Sequence, residues 1–499
     1  MHTTHPSRVS LLAGTAALAG AFAALDARAG TDVWFTPLTS SAEVVAPNAL
    51  PELTAPWVTP EGIMQINLLS LREVEDSVLS PLQSIVRVPA GTSGSMFDMI
   101  AYDDSGEFLF IPHETPFGAG VSRHDIKARS TQVLFRGDMQ GAAGNWAKDY
   151  GAFDPCRYTP NGTLWLAEEW AGQGRVIEVL NPFDAPEDIQ IRELDSIANV
   201  AHEGIMFSEQ NPRVVYYIDE YNSGSIYKFV MARKGDYTKG QTFVLKVDAF
   251  AGNPAEDYNS AANVAQPRTG LATWVPLTDS RGKPLPGISN PFDNATLGGR
   301  AAADDAGGTP YGRPEDTEIG RLRNGNEVVY IAMTSENAVY SVEILGGQKA
   351  RVGKLVDLNT PKNLGFPATT GILNSPDNLA QDALGNIYVV EDAPNGSNIG
   401  GDVWFIRDAN NDGVAESLDH FLSVRADGCE ATGMIFNPEK PTEFVVAVQH
   451  PDSTDLAQVP DGLGDAVWLF DLSTIDNQKF LRALERSCGE KRRGGKRHD

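Results

Sequence analysis

Cysteine is nearly absent: Cys156, Cys429 and Cys488 are the only three in 499 residues. Their scattered spacing matches no zinc-ligand pattern. One disulfide is compatible with an oxidising compartment, and the sequence does not choose the pair. Long apolar runs are missing too. The longest, LLAGTAALAGAFAAL at residues 11–25, is short for a membrane span, and no later segment approaches the roughly 18 apolar residues a span requires. Basic residues are a third shortage. Lysine and arginine number 40 against 66 aspartate and glutamate, a net charge of −26. That balance excludes nucleic acid or an anionic membrane as the main partner.

The first apolar stretch follows Arg8 and precedes Ala27-Arg28-Ala29, an A-x-A cleavage pattern. Residues 1–29 are therefore expected to be a secretion signal, and the mature protein periplasmic or secreted. No Arg-Arg pair occurs in this region, which favours the general secretory route over a twin-arginine one. Residues 30–480 are expected to form one domain, and the protein to be a monomer. The 41% hydrophobic content with 48 glycines and 31 prolines fits a turn-rich globular chain. The basic, glycine-rich end, ERSCGEKRRGGKRHD, is expected to belong to a disordered tail over 481–499.

What the chain does have is a repeat. Six segments share an acidic loop, a short strand, a turn, and a second strand ending in polar groups. They are FDMIAYDDSGEFLFIPHE (97–114), FDPCRYTPNGTLWLAEE (153–169), HEGIMFSEQNPRVVYYIDE (202–220), RPEDTEIGRLRNGNEVVYIAMT (313–334), SPDNLAQDALGNIYVVED (375–392) and CEATGMIFNPEKPTEFVVAVQHP (429–451). Strand-like alternation broken by N-G, L-G and N-P turns predicts an all-β, six-bladed β-propeller. A double interval between the third and fourth copies predicts a long insertion at about 235–312.

Equivalent positions of a propeller converge on its axis. Here those positions are Asp98, Asp154, Glu203, Glu315, Asp377 and Glu430, joined at second-strand ends by His113-Glu114, Glu168-Glu169, Asp219-Glu220, Glu391-Asp392 and His450. So many carboxylates must be protonated or neutralised by cations, and hard oxygen donors point to calcium. Separately, DANNDGVAESLD (408–419) places Asp408, Asn410, Asp412, Gly413 and Asp419 at calcium-loop spacing, although the last position lacks the usual glutamate. A polar hairpin fits that stretch equally well.

AHEGIMF, VVYYIDEYNSGSIYKFV, GRPEDTE and the two C-terminal segments, in this order, resemble the PhoX-type alkaline phosphatases over nearly all of the mature chain. The resemblance implies a six-bladed propeller whose cluster of iron and calcium ions hydrolyses small phosphate monoesters. Carried over, it makes Glu168, Glu169, Glu203, Asp219, Glu220, Glu315, Asp377 and Glu430 metal ligands. Arg313 becomes a phosphate clamp, and His202 orients a ligand or donates to the leaving oxygen. GTLWLAEEW departs from the family's Thr-Trp-Leu-Thr-Cys-Glu-Glu motif at Ala167, where the family has a cysteine ligand to iron. Iron is thereby in doubt. Two further readings are a calcium-dependent lactonase or arylesterase, which PDNLAQDALGNIYV also resembles, and a non-catalytic calcium-binding propeller.

Overall fold

The computed structural model describes residues 32–47, 49–71, 97–452 and 463–495, so the expected secretion signal lies outside the described residues. Among the described residues no helix is long and apolar enough to cross a membrane. The architecture is all-β and propeller-like, built from antiparallel meanders. One four-stranded sheet runs Ala101–Tyr102, Phe108–Pro112, Gly120–Asp125 and Ser130–Arg136, and the next Phe153–Tyr158, Leu164–Glu168, Val176–Val179 and Ile191–Glu193. A nine-stranded sheet follows. It joins the meander that begins at Ile205–Phe207 to the one that begins at Pro314–Arg321, because Gly270–Pro276 pairs with Gly240–Val247 on one side and Lys349–Val356 on the other.

Two more sheets begin at Pro376–Gln381 and Glu430–Phe436. Segments from near the start of the chain complete both: Trp57–Val58 pairs with Ser417–Val424, and Met64–Ser70 with Ala466–Asp471. The first strand of each meander touches the first strand of the next, and Glu430–Phe436 returns to Ala101–Tyr102, which closes a ring. Second strands such as VVYYI, EVVYIAM and IYVVE are buried along their whole length. Both faces of these strands meet a neighbouring meander, so their apolar residues run on instead of alternating.

Under the acidic end of the ring, one arginine ties four first strands together. Arg157 donates through Nε to the Ile205 carbonyl at 2.9 Å and through Nη2 to Asp316 Oδ1 at 3.0 Å. Asp316 Oδ2 in turn accepts the Leu379 N–H at 3.0 Å. The span 235–312 is not a loop alone. It holds two strands and the helix Gly298–Ala306, and it supplies the weld between two meanders.

The end of the chain departs from expectation. Where a disordered tail was expected over 481–499, a helix spans Gln478–Gly495. Phe480, Leu481 and Leu484 share one face at helical spacing and are buried. Trp34 stacks on Phe480 with ring centroids 4.4 Å apart, so apolar docking holds the helix despite its basic surface.

Arg157→Ala would leave Asp316 buried without its cation, and such a change costs about 3–5 kcal/mol. The expected outcome is a clearly lower urea midpoint than wild type, partly recovered in Arg157→Ala/Asp316→Leu. Equal midpoints for wild type and the single variant would show that the tie carries no stability.

Candidate metal centre and active site

Three of the first strands turn into the axis by a local distortion. The strand register slips between Phe153 and Cys156, between Pro314 and Thr317, and between Pro376 and Leu379. Those slips bracket Asp154, Glu315 and Asp377, and a bulge of this kind re-aims the side chain it carries. Two residues before each carboxylate the backbone is left-handed: Ala152 has φ 46°, Arg313 φ 49° and Ser375 φ 44°. A non-glycine residue pays about 1–2 kcal/mol for that conformation. Gly428, at φ 67°, fills the same place before Glu430. The second strand then locks the kink: the Glu169 N–H donates to the Ala152 carbonyl at 2.9 Å, and that of Asp392 to Ser375 at 3.0 Å.

The result is a cavity of about 120 Å³ lined by Asp98, Glu114, Asp154, Glu169, Glu203, Glu315, Asp377, Asp392, Glu430 and Arg313. Three overlapping groups bring ligand oxygens within 4.8 Å of one another: Asp98-Glu114-Asp154, Asp154-Glu169-Glu203 and Glu203-Glu315-Asp377. At an effective dielectric constant of about 20, two carboxylates at that separation repel by about 3.5 kcal/mol. Burial and this mutual repulsion push Asp154, Glu169, Glu203, Glu315, Asp377 and Glu430 well above the usual carboxylate range. Asp154 Oδ1, Glu169 Oε2, Glu203 Oε2 and Glu315 Oε1 are buried and accept no hydrogen bond. Orphaned hard oxygens converging in one cavity fit divalent cations.

Adjacent acids divide their work. Glu169 lines the cavity, whereas Glu168 faces into its own meander. Glu168 accepts Arg175 Nε at 2.9 Å, Arg175 Nη2 at 2.7 Å, and the N–H groups of Gly151 and Gln173. Asp219 is likewise held by Arg300, with both oxygens at 2.7 Å from the guanidinium. Glu391 accepts the Trp404 indole N–H at 2.8 Å and the Asp402 N–H at 2.9 Å. Strand alternation sends the first acid of each pair inward and the second to the axis. Glu168 and Asp219, both expected as ligands, are thus spoken for by arginines.

Glu220 grips Arg313, whose Nε donates to Glu220 Oε1 at 2.5 Å and lies 3.4 Å from Glu315. Burial works against the charge of Arg313, but Glu315 and Glu220 outweigh it and push its pKa up. Its side chain is 38% exposed, and its remaining nitrogen, Nη1, lies 4.0 Å from Asp392 Oδ2. His202 does not line the cavity. It is fully buried against Tyr217, and burial holds its pKa down at about 3. Cys156 and Cys429 are free, buried and set in separate apolar clusters, and Ala167 sits in a third with Trp165 and Val176.

The stretch 408–419 forms the turn between strands Asp402–Arg407 and Ser417–Val424 and the start of the latter. Asp408 accepts the N–H groups of Asp412 and Gly413, Asn410 donates to Glu416, and Asp412 lies 3.8 Å from Arg323. None of the three groups of convergent ligands includes these residues. Asp98, Glu114, Asp154 and Asp392 complete the cavity although the family motifs did not carry them. Their signal was the repeat itself.

Glu169→Gln is expected to lower the divalent cation bound per chain, read by elemental analysis, with little change in fold. Glu168→Gln should instead keep the cation and lose stability, since Arg175 is left with a neutral partner. The reverse pattern would exchange their roles. Without cations, burial and the Asp98 charge raise Glu114 from 4.5 to about 8. A carboxyl with a raised folded pKa stabilises fully below its unfolded value and loses that contribution as pH climbs to the folded one. The cation-free protein should therefore melt progressively lower from about pH 5 to about pH 8, and calcium should reverse the loss. A melting temperature flat over that range would contradict the raised pKa.

Residues 133–452 match the family described as alkaline phosphatase PhoX. Among solved structures, Pseudomonas fluorescens PhoX in complex with vanadate, a transition state analogue, is 16% identical, with a TM-score of 0.60 over 89% of this chain and 98% of that one. A calcium-binding regucalcin from Agrobacterium tumefaciens is 12% identical, with a TM-score of 0.36 over 77% and 93% of the two chains. No curated protein matches the sequence. With the family matched over well more than half of its length, this chain belongs to the PhoX alkaline phosphatases and is a phosphoric ester hydrolase.

Proposed function

We propose that the protein is an exported, metal-dependent phosphatase that hydrolyses small phosphate monoesters at a carboxylate-held cation cluster on the axis of a six-bladed propeller. The observation that carries this reading is the pairing of orphaned acidic oxygens with one arginine at the mouth of the same cavity. Six blades follow if the nine-stranded sheet is counted as two meanders welded by Gly270–Pro276, with the span from about 235 to 312 as the insertion that provides the weld. Export rests on the signal pattern over residues 1–29, and a monomeric mature unit over about 30–480 is the simplest assembly.

Glu169, Glu203, Glu315, Asp377 and Glu430, with Asp98, Glu114 and Asp154, would hold the cations. Cations there polarise phosphoryl oxygens and acidify water. Arg313 offers parallel N–H donors to the phosphoryl group, and these strengthen as charge gathers on it. Glu220 and Glu315 fix the direction of that guanidinium. His202 acts through position: its N–H donates to the Glu168 carbonyl at 3.0 Å, and so the segment carrying Glu203 is anchored. The donor set favours calcium. No sulfur lines the cavity among the described residues, and Ala167 offers none. The vanadate-bound relative supports a site shaped for a phosphoryl group.

Screening p-nitrophenyl phosphate, a phosphodiester and a lactone with calcium, with and without iron, tests the reading. The monoester alone should turn over, and Arg313→Ala should reduce kcat/KM by about 100-fold or more. Absence of phosphomonoester turnover, or lactone turnover in its place, would overturn it.

A further inference from the structure

Two large aromatic side chains stand half exposed where second strands end. Trp170 follows Glu169 and Tyr221 follows Glu220, and each is 50% exposed. The residues after Glu114 and Asp392 are Thr115 and Ala393, so the aromatic pair belongs to the two neighbouring meanders that carry Glu169 and Glu220. Both rings are fixed. The Trp170 indole N–H donates to Glu114 Oε1, a cavity carboxylate, which sets the indole against the cavity wall. The Tyr221 ring lies 4.0 Å from the Arg300 guanidinium carbon, and its carbonyl accepts the Arg313 N–H at 3.2 Å.

The cavity has room for a phosphoryl group and cations, and its lining is charged throughout. It offers no apolar wall to the alcohol portion of an ester, which must lie outside, across the rim. A fixed aromatic face that is half wet presents a π-surface ready to stack on a flat partner. Building on the phosphatase reading, we propose that Trp170, with Tyr221 beside Arg313, stacks on the ester group of the substrate. The site would then favour phosphate monoesters whose alcohol carries an aromatic ring, as in an aryl phosphate or a nucleoside monophosphate.

The test compares kcat/KM of the calcium-loaded mature protein for AMP and glycerol 3-phosphate, whose leaving alcohols are alike, with phenyl phosphate as a third arm. Wild type should prefer AMP over glycerol 3-phosphate by about tenfold, the size of one stacked ring. Phenyl phosphate, whose phenol leaves more readily, is read only by its change in KM between wild type and variants. Trp170→Leu and Tyr221→Leu should lose that preference mainly through KM, and Trp170→Phe should keep most of it. Which aromatic ester loses its advantage tells an aryl site from a nucleobase site. A wild type without the preference, or leucine variants that retain it, would overturn the proposal. Failure to hydrolyse any monoester would instead remove the phosphatase reading. In that event calorimetric titration with phenylphosphonate against methylphosphonate still decides the rim, and equal affinities would rule it out.

Discussion

Repulsion among carboxylates is the constraint around which this molecule is arranged. Nine of them line one small cavity with a single arginine, and no apolar core could tolerate such a group without a counter-charge. The fold meets that demand with rigidity. Bulges and left-handed kinks recur at the same place in three meanders, and the second strand's backbone closes on each of those kinks. Left free, the acids would swing apart into water. Held together, their charge must be relieved by protons or by cations.

Much of that was legible in the chain. The six acidic loops share a period, and equivalent positions of a ring of meanders must meet, so Asp98, Asp154 and Glu430 declare themselves without any partner being known. What the period could not say is which of two adjacent acids faces the axis. Glu168 and Glu169 look alike in sequence. The difference comes from Arg175, seven residues on, and for Asp219 from Arg300, eighty-one residues on in the insertion. Ion pairs of that reach leave no local signature. His202 shares a segment with Glu203 but not its face: it is buried against Tyr217 and does not line the cavity.

The span 235–312 and the tail show the same limit from the other side. Gly/Pro/Asp-rich stretches read as loop because strand periodicity is short there, yet Gly270–Pro276 finds two partners and becomes the centre of a nine-stranded sheet. The basic tail reads as solvated because charge dominates its composition. Its three apolar residues at helical spacing suffice to dock it beside Trp34. In both places tertiary contact overrides local composition.

The kind of cation the cavity suits depends on where sulfur is and is not. Ala167 belongs to the apolar cluster that includes Ile205 and Tyr217, between the meanders that present Glu169 and Glu203. Cys156 is turned into a different cluster, with Phe110 and Leu166, and burial pushes its thiol further from ionisation. A thiolate that does not form cannot bind a soft metal. Among the described residues the cavity therefore presents oxygen alone, a donor set that suits hard cations, with Arg313 as its one basic side chain. That arginine is gripped by Glu220, which keeps it from collapsing fully onto the acids it faces. A single half-exposed cation thus stands against a strongly negative cavity, surrounded by Glu220, Glu315 and Asp392.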